Sequence, residues 1–394
     1  MQLSVIILNY NVRYFLELCV LSVQNAIQNI DAEIIVIDNN SPDDSCNMMK
    51  QRFPNVKLIE NKENSGFPKG NNIGVSQAQG EYICILNPDT VVAEDTFEKI
   101  LNFVTSSASS RAQSKDEKDE IGIVGCKLID GTGNFLPESK RGTPTPFVAF
   151  TKITGLYKVF PKKFGKYYAQ HLSENETGKV DILVGAFMLM KRGLYNEIGG
   201  FDENCFMYSD DIDLSYMVLQ KGKSNYYFHE TTVIHYKGES TIKDETYMKR
   251  FQEAMHFFYK KHFRVSVLFD FFMNIGVFFF ALFKKSQAVR TKRKIVDYFL
   301  FSADENLKNK VENLLGNKVN TMNSKAKNTL ISSNVNANNN IEVIFDQSEI
   351  SFKSIIQNFE EFKNSKFTYK IIPKNTNFMI GSNDSNDRGE VLNI

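Results

Sequence analysis

Four short apolar runs, at residues 3–8, 33–37, 56–59 and 82–86, alternate with stretches of helical spacing over the first hundred residues. Strand-length runs separated by helix-length spacers predict βαβ units and a parallel sheet. Each run ends in polar residues: Asn9, Tyr10 and Asn11; Asp38, Asn39 and Asn40; Asn61 and Asn64; Asn87 and Asp89. In a parallel sheet all four ends fall on one rim, the rim where open α/β sheets bind ligands. Any one cluster reads more readily as turn chemistry than as a site; the recurrence is the signal.

The run Tyr82-Ile83-Cys84-Ile85-Leu86, framed by Gly80 and Pro88, has the composition of a strand covered on both faces. Pro88 has no N–H to give a ladder, so pairing should stop there and leave Asn87, Asp89 and Thr90 at the rim. Asp89 is a candidate metal or phosphate contact, and alternatively a helix cap. A second acidic cluster, Asp210, Asp211 and Asp213, opens a predicted helix. Capping and the helix dipole account for one or two of these carboxylates. A third exceeds that need, and adjacent carboxylates repel unless a cation or a proton compensates. Consecutive helical residues diverge by about 100°, so one of Asp210 and Asp211 is expected to face a cleft. His235, at the end of a short predicted strand at 233–236 and ahead of Lys237, Gly238, Glu239 and Ser240, reads as a structural residue or as a second ligand beside Asp89. Gly66, Gly70 and Gly74 share one helix face and permit a close approach there. They form neither the Gly-x-Gly-x-x-Gly dinucleotide pattern nor a P-loop, which disfavours a nicotinamide enzyme or a P-loop NTPase.

A length of 394 residues predicts one large domain with appendages, or two domains. A net charge of +1 gives no reason to expect nucleic acid. Five cysteines without a Cys-x-x-Cys pair suggest neither a disulfide framework nor a thiolate zinc site, and fit a reducing cytoplasm. The N-terminus starts directly in a strand-like run, without the basic leader of a secretory signal. Residues 1–245 read as the main α/β domain, with a solvated insertion at 106–120. A loop-rich segment at 135–179 carries Pro144, Pro146 and Pro161 and reads as a lid or acceptor wall. A helical segment, 246–301, follows. Its run 265–283 is nearly all apolar apart from Asp270 and Asn274, and Lys284, Lys285, Arg290, Lys292, Arg293 and Lys294 come next. It reads as lying in a membrane interface, as packing on the domain, or as spanning, with Asp270 against spanning. Residues 302–340 read as a linker and 341–394 as a small β-α-β appendage with no assigned role.

The motifs Asn9-Tyr10-Asn11, Asp38-Asn39-Asn40-Ser41, Asn64-Ser65-Gly66-Phe67 with Gly70 and Asn71, Asn87-Pro88-Asp89-Thr90, Gly199-Gly200-Phe201-Asp202 and Tyr208 to Asp213, in that order, resemble family 2 glycosyltransferases of the GT-A fold. The likeness spans about residues 1–240 and is greatest to the rhamnosyltransferase-type members of bacterial polysaccharide assembly. It implies a Rossmann-like sandwich with a mostly parallel central sheet, here followed by a C-terminal helical segment and the small α/β appendage. It also implies an inverting transfer of a sugar, rhamnose among the candidates, from a dTDP- or UDP-linked donor to a hydroxyl of a glycan or lipid-linked acceptor. The place of action would be the cytoplasmic face of the inner membrane, with peripheral contact through 265–294.

Carried over residue by residue, the resemblance puts Asn9, Tyr10, Asn11, Asp38, Asn39, Asn64, Gly66, Gly70, Asn71, Asn87 and Asp89 at the nucleotide-sugar. Asp38 would accept the base's N3–H. Asp89 matches the family's metal-binding Asp-x-Asp position, with His235 as a further contact and Mn²⁺ or Mg²⁺ as the cofactor. Asp211 matches the catalytic base, with Asp210 in place of the usual Glu. Gly185, Ala186 and Asp213 fall on the acceptor side. Asn87 departs from the pattern, because a fuller Asp-x-Asp would carry a carboxylate there. The rivals are a nucleotidyltransferase, which would need a basic Gly-rich loop where residues 9–15 offer only Arg13, and a non-catalytic sugar-nucleotide binder at the membrane.

Overall fold

β1 (Leu3–Asn9) and β4 (Tyr82–Leu86) are buried at every residue, as strands covered on both faces must be. β1 sits between β2 (Ala32–Asp38) and β4 and runs parallel to both. The computed structural model describes residues 1–111, 120–145, 148, 165–236, 245–263, 294–322, 340–363, 366–383 and 389–394. Within them β1, β2 and β4 belong to a nine-stranded sheet with β3 (Lys57–Glu60), β5 (Thr90–Val91), β6 (Ile121–Ile129), β7 (Gly178–Val180), β8 (Phe187–Lys191) and β9 (Ser224–His235). Its order is β3-β2-β1-β4-β8-β6-β9-β5, with β7 pairing β9. β1, β2, β3, β4, β6 and β9 run one way, and β5, β7 and β8 run against them. The sheet is therefore mixed and mostly parallel, as the alternating runs predict.

The period-2 alternation of β1 divides the core. Leu3, Val5 and Ile7 pack with α1 (Arg13–Ala26), α2 (Ser45–Arg52) and α4 (Thr96–Arg111). Ile6 and Leu8 pack on the other face, with α3 (Gly66–Ser76), α5 (Arg192–Glu197) and α6 (Asp210–Gln220). Gly70 and Gly74 of α3 let that helix approach the sheet, since a Cβ at either would fall within 2.6 Å of Leu8, Ile6 or Ile37 side-chain atoms. α7 (Glu245–His262) lies against α6 through Met255, Phe258 and Tyr259, which bury Ile182 and Ile212.

The remainder of the described chain differs from the sequence-based expectation. The expected linker 302–340 contains α8 (Glu305–Leu315) and β11 (Val319–Met322), and the expected helical segment ends in β10 (Ile295–Phe301). With β12 (Asn340–Asp346), α9 (Phe352–Glu361), β13 (Phe367–Ile372), β14 (Phe378–Gly381) and β15 (Glu390–Asn393) they form a second, six-stranded sheet in the order β11-β10-β12-β13-β14-β15. The polar composition of 302–322 hid these elements. Asp304 caps α8 through the amides of Asn306 and Leu307, and one buried side chain, Val311, anchors that helix.

The second sheet is fused to the first by a shared core of Phe15, Leu18, Ile234 and Tyr236 with Phe299, Phe345, Phe352 and Phe359. Glu94 accepts the Phe352 and Lys353 amides, both at 2.7 Å, and so caps α9 from the other sheet. Gly133, at φ +82°, sits against the end of α9, where a Cβ would lie 2.0 Å from the Phe359 carbonyl oxygen. The first residues of the expected surface insertion, through Arg111, extend α4. Residues 112–119, 146–147, 149–164, 237–244 and 264–293 fall outside the described residues, and with them Pro146, Pro161, Lys237 to Ser240, the apolar run 265–283 and the basic residues from Lys284 to Arg293. Among the described residues no helix is long and apolar enough to cross a membrane.

Candidate active site

The C-terminal ends of β1, β2 and β4 open onto a cleft of about 220 Å³, closed on its other sides by the start of α3, residues 184–186 and the start of α6. Tyr10, Asn39, Asn64, Gly66, Asn87, Gly185, Ala186, Asp210 and Asp211 all line it. The strand ends that the sequence reading joined at one rim do meet there.

Several of the expected contacts stand behind the lining instead. The Asn9 amide donates to Asp38 Oδ1 at 2.7 Å and to Ser41 Oγ at 3.0 Å, and Ser41 donates to Asp38 through its amide (2.8 Å) and hydroxyl (2.6 Å). Asp38, 2% exposed, is spent on this knot and is not a lining residue. Gly70 and Asn71 are buried in α3, where the Asn71 amide donates to the Phe67 carbonyl at 2.9 Å. Asn11 is exposed at the turn, and its amide donates to Ser41 Oγ. Asn39 serves as the hub of the rim, donating to Asn64 Oδ1 and the Gly66 carbonyl and accepting from Asn61 and Ser65.

Gly66 begins α3 at φ +81°, a conformation that favours glycine, and a Cβ there would lie 2.9 Å from the Phe206 carbonyl oxygen. The Phe67 amide donates to that same carbonyl at 3.1 Å. The loop ahead of α6 is thereby clamped across the start of α3. Tyr208, in this loop and lining the cleft, holds φ +78°, a strained setting for a bulky side chain.

Asp89, 3% exposed, lies beside His235, with Oδ1 3.3 Å from His235 Nε2. The pairing of Thr90 with His235 between β5 and β9 brings them together. Asp89 Oδ1, Asn87 Oδ1 and His235 Nδ1 are all buried without a hydrogen-bond partner. His235 Nε2 also lies 3.4 Å from the Asn87 side-chain amide nitrogen, so the three residues adjoin, and their unsatisfied atoms call for a water or a cation as partner. A carboxylate and an amide oxygen are ligand types of both Mn²⁺ and Mg²⁺, and the imidazole fits Mn²⁺ better than Mg²⁺. Among the described residues no group of three or more His, Cys, Asp or Glu could enclose an ion by itself. Asn87 and Pro88 line the cleft directly, whereas Asp89 and His235 stand behind them.

Opposite this corner, Asp210 and Asp211 both face the cleft, which corrects the expectation that only one would. They occupy the first turn of α6, with Ser209 between them and the left-handed Tyr208, so the helix meets the cleft end-on rather than side-on. Burial, and then the charge of Asp211, raise the Asp210 carboxyl to about pH 7. Asp211 Oδ2 accepts from Arg141 Nη2 at 2.6 Å and from the Gly185 amide at 3.2 Å. Burial opposes the Arg141 charge, but Asp211, Tyr167 and Glu138 together outweigh it and hold the guanidinium protonated. Asp213, placed on the acceptor side by the sequence reading, does not line the cleft: it is 1% exposed, 2.8 Å from Lys261 Nζ and 2.5 Å from His262 Nε2. Lys261 also reaches Asp202 at 2.7 Å, so α7 is bolted to the loops around α6.

The sequence reading missed Arg141, whose partner lies seventy positions away. It quoted Phe67 and Tyr208 within motifs without giving them a role, and it missed Val184 and Met207; all four line the cleft. A lone arginine in a loop-rich segment carries no periodic signal; its burial is what identifies it.

Residues 4–199 match the family described as Glycosyl transferase family 2. Over 223 residues, covering 54% of this chain and 68% of the relative, the sequence is 26% identical to an N-acetylglucosaminyl-diphospho-decaprenol L-rhamnosyltransferase of Mycobacterium tuberculosis. It is 34% identical over 136 residues, 33% of this chain and 14% of the relative, to the minor teichoic acid biosynthesis protein GgaB of Bacillus subtilis. Among solved structures, the mannosyltransferase PcManGT from Pyrobaculum calidifontis, in complex with GDP-Man and Mn²⁺, aligns at a TM-score of 0.46 with 16% identity, over 73% of this chain and 76% of that one.

Proposed function

We propose, for a chain that belongs to glycosyl transferase family 2 through residues 4–199, an inverting transfer of a sugar from a dTDP- or UDP-linked donor to a hydroxyl of a glycan or lipid-linked acceptor in cell-surface polysaccharide synthesis. Rhamnose is the first sugar to test, given the mycobacterial relative. The observation that carries the reading is the cleft itself. It sets the carboxylates of Asp210 and Asp211 across from Asn87, with the unsatisfied Asp89 and His235 behind that residue.

Tyr10, Asn39, Asn64 and Gly66 form the donor side, and Asn9, Asp38, Gly70 and Asn71 support it from beneath. Asp89, His235 and the Asn87 amide oxygen would hold a divalent ion, which neutralises charge on the departing diphosphate. Asp211 takes the proton of the attacking hydroxyl, Asp210 stands beside it, and Gly185 and Ala186 bound the acceptor side. Attack from the face opposite the leaving group inverts the anomeric centre. The basic and apolar sequence at 265–294 suits a peripheral station at the cytoplasmic face of the inner membrane.

The test is a panel of UDP-, dTDP- and GDP-sugars with Mn²⁺ or Mg²⁺, following both binding and sugar release. Asp211→Asn is expected to retain donor binding and lose about 10²–10⁴-fold in transfer, the usual worth of a general base. Normal turnover by that variant overturns the assignment. Binding without turnover by the unaltered protein, across the panel and with acceptors present, would make the chain a binder.

A further inference from the structure

The segment that carries Arg141 is held at each neighbouring residue. Ser139 Oγ donates to the Leu136 carbonyl at 2.6 Å and accepts from the Leu128 amide at 3.2 Å. Lys140 Nζ is buried and donates to three carbonyls, of Tyr168, Ala169 and Leu172, at 3.3, 3.2 and 2.7 Å. Arg141 and Ile182 exchange both backbone bonds at 2.9 Å, and Tyr259 of α7 donates to the Pro144 carbonyl at 2.5 Å. An exposed loop needs none of these ties. They fix one side chain, that of the buried Arg141, against the start of α6.

That guanidinium is committed in a specific way. Nη2 donates to Asp211 Oδ2 and to the Leu183 carbonyl at 3.1 Å, while Nε is buried without a partner. The Gly185 amide donates to the same Oδ2, so both donors hold one oxygen and Asp211 Oδ1 makes no hydrogen bond among the described residues. Asp211 lines the cleft, so its uncommitted oxygen is the one available to a ligand.

We infer that Arg141 is the positioning residue of the carboxylate pair: it pins Asp211 by Oδ2 and so presents Oδ1 to the acceptor hydroxyl. This rests on the proposed function. In the step, the hydroxyl proton passes to Asp211 Oδ1 as its oxygen bonds to the anomeric carbon. The bond from that carbon to the diphosphate oxygen breaks, and its electron pair leaves with the nucleoside diphosphate.

The charged groups around the pair are few. Asp210 adjoins on α6; Tyr167 and Glu138 face Arg141 from the loop-rich segment; the Cys205 thiol approaches Ser209 and Asp210. Asp213 is turned away to Lys261 and His262 of α7. Among the described residues Arg141 is the cation in contact with the pair. Without it, two adjacent buried carboxylates would share a proton to higher pH.

The test compares Arg141→Gln and Arg141→Lys by kcat against pH, donor affinity by calorimetry with Mn²⁺, and circular dichroism. Arg141→Gln is expected to lose about 10–100-fold in kcat with donor affinity unchanged, and its acid limb should move up by about one unit or more. Arg141→Lys keeps the charge and loses the fork, so its kcat should be intermediate with the acid limb near its original place. A folded, donor-binding Arg141→Gln with unchanged kcat or an unmoved acid limb overturns the inference. If that variant does not fold, the lysine variant decides, and full kcat there overturns it. Asp211→Asn assayed alongside separates the two levels: an active Asp211→Asn refutes the underlying function, whereas an inactive one beside an indifferent Arg141→Gln refutes the role of Arg141 alone.

Discussion

Removing the Asp213 carboxylate tests whether the third acid of the α6 cluster serves chemistry or architecture. In Asp213→Ala, Lys261 Nζ loses a partner at 2.8 Å and His262 Nε2 loses one at 2.5 Å. Breaking one side of a buried pair costs about 3–5 kcal/mol, because the remaining group stays desolvated and unpaired. Lys261 is 27% exposed and keeps its contact with Asp202, so its share is smaller than for a sealed site. The His262 side chain, 4% exposed, has no such relief. The expected loss is therefore about 2–4 kcal/mol. Asp213→Asn keeps an acceptor and most of the volume and should lose about 1–2 kcal/mol. Urea unfolding reads the change as a lower midpoint at unchanged slope. Initial rates on the folded fraction should show the acceptor KM within about twofold of the parent, since a surface-remote structural residue leaves transition-state binding untouched. A stability loss under about 1 kcal/mol together with a large rise in acceptor KM would refute the reasoning and return Asp213 to the acceptor side.

Gly66→Ala should weaken donor binding and lower stability together. The left-handed backbone alone costs about 1–2 kcal/mol in a residue with a Cβ, and this Cβ would press on the Phe206 carbonyl that clamps the cleft. An alanine variant with unaltered affinity and midpoint would show that the clamp is dispensable. A pH titration of stability reads Asp210. Its carboxyl is raised from 3.8 to about 7 in the folded chain, so native Asp210 holds a proton across that window while the unfolded chain does not. The stability it contributes is full below about pH 4 and is lost as pH rises towards 7, with a slope approaching about 1.4 kcal/mol per unit. Asp210→Asn should remove that component of the slope, and parallel pH profiles for variant and parent would contradict the assignment.

The first sheet was legible because its strands are short apolar runs with abrupt polar ends, and burial on both faces permits little else. The rim could be read for the same reason, since Tyr10, Asn39, Asn64, Asn87, Asp210 and Asp211 all stand at element ends where chain order alone assigns a side. Direction within the rim was not legible. Whether Asp38 reaches a ligand or is consumed by Asn9 and Ser41, and whether Asp213 points to the cleft or to α7, depends on a few ångströms set by contacts distant in sequence. The second sheet was misread in part because α8 exposes most of its surface and β11 has just four residues, so neither shows a clear period.

β9 ties the second sheet to the candidate site. Its alternation sends Ile234, together with the following Tyr236, into the core shared with the second sheet, while His235 between them points to Asp89. The Tyr236 amide donates to the Asp89 carbonyl at 3.0 Å, and the Tyr236 ring packs against Phe15 at 5.0 Å between centroids. Phe15 belongs to α1, whose Cys19 thiol reaches the Asn87 carbonyl at 3.5 Å. The unsatisfied atoms at Asn87, Asp89 and His235 hold a fixed arrangement for a water or cation only as far as the backbone behind them is rigid. The apolar layer of Phe15, Ile234 and Tyr236 against Phe299, Phe345 and Phe352 supplies that rigidity. The second sheet is thus the back wall of the proposed cation corner, and the pair of sheets forms one unit in which the site is a surface feature of a core that both halves build.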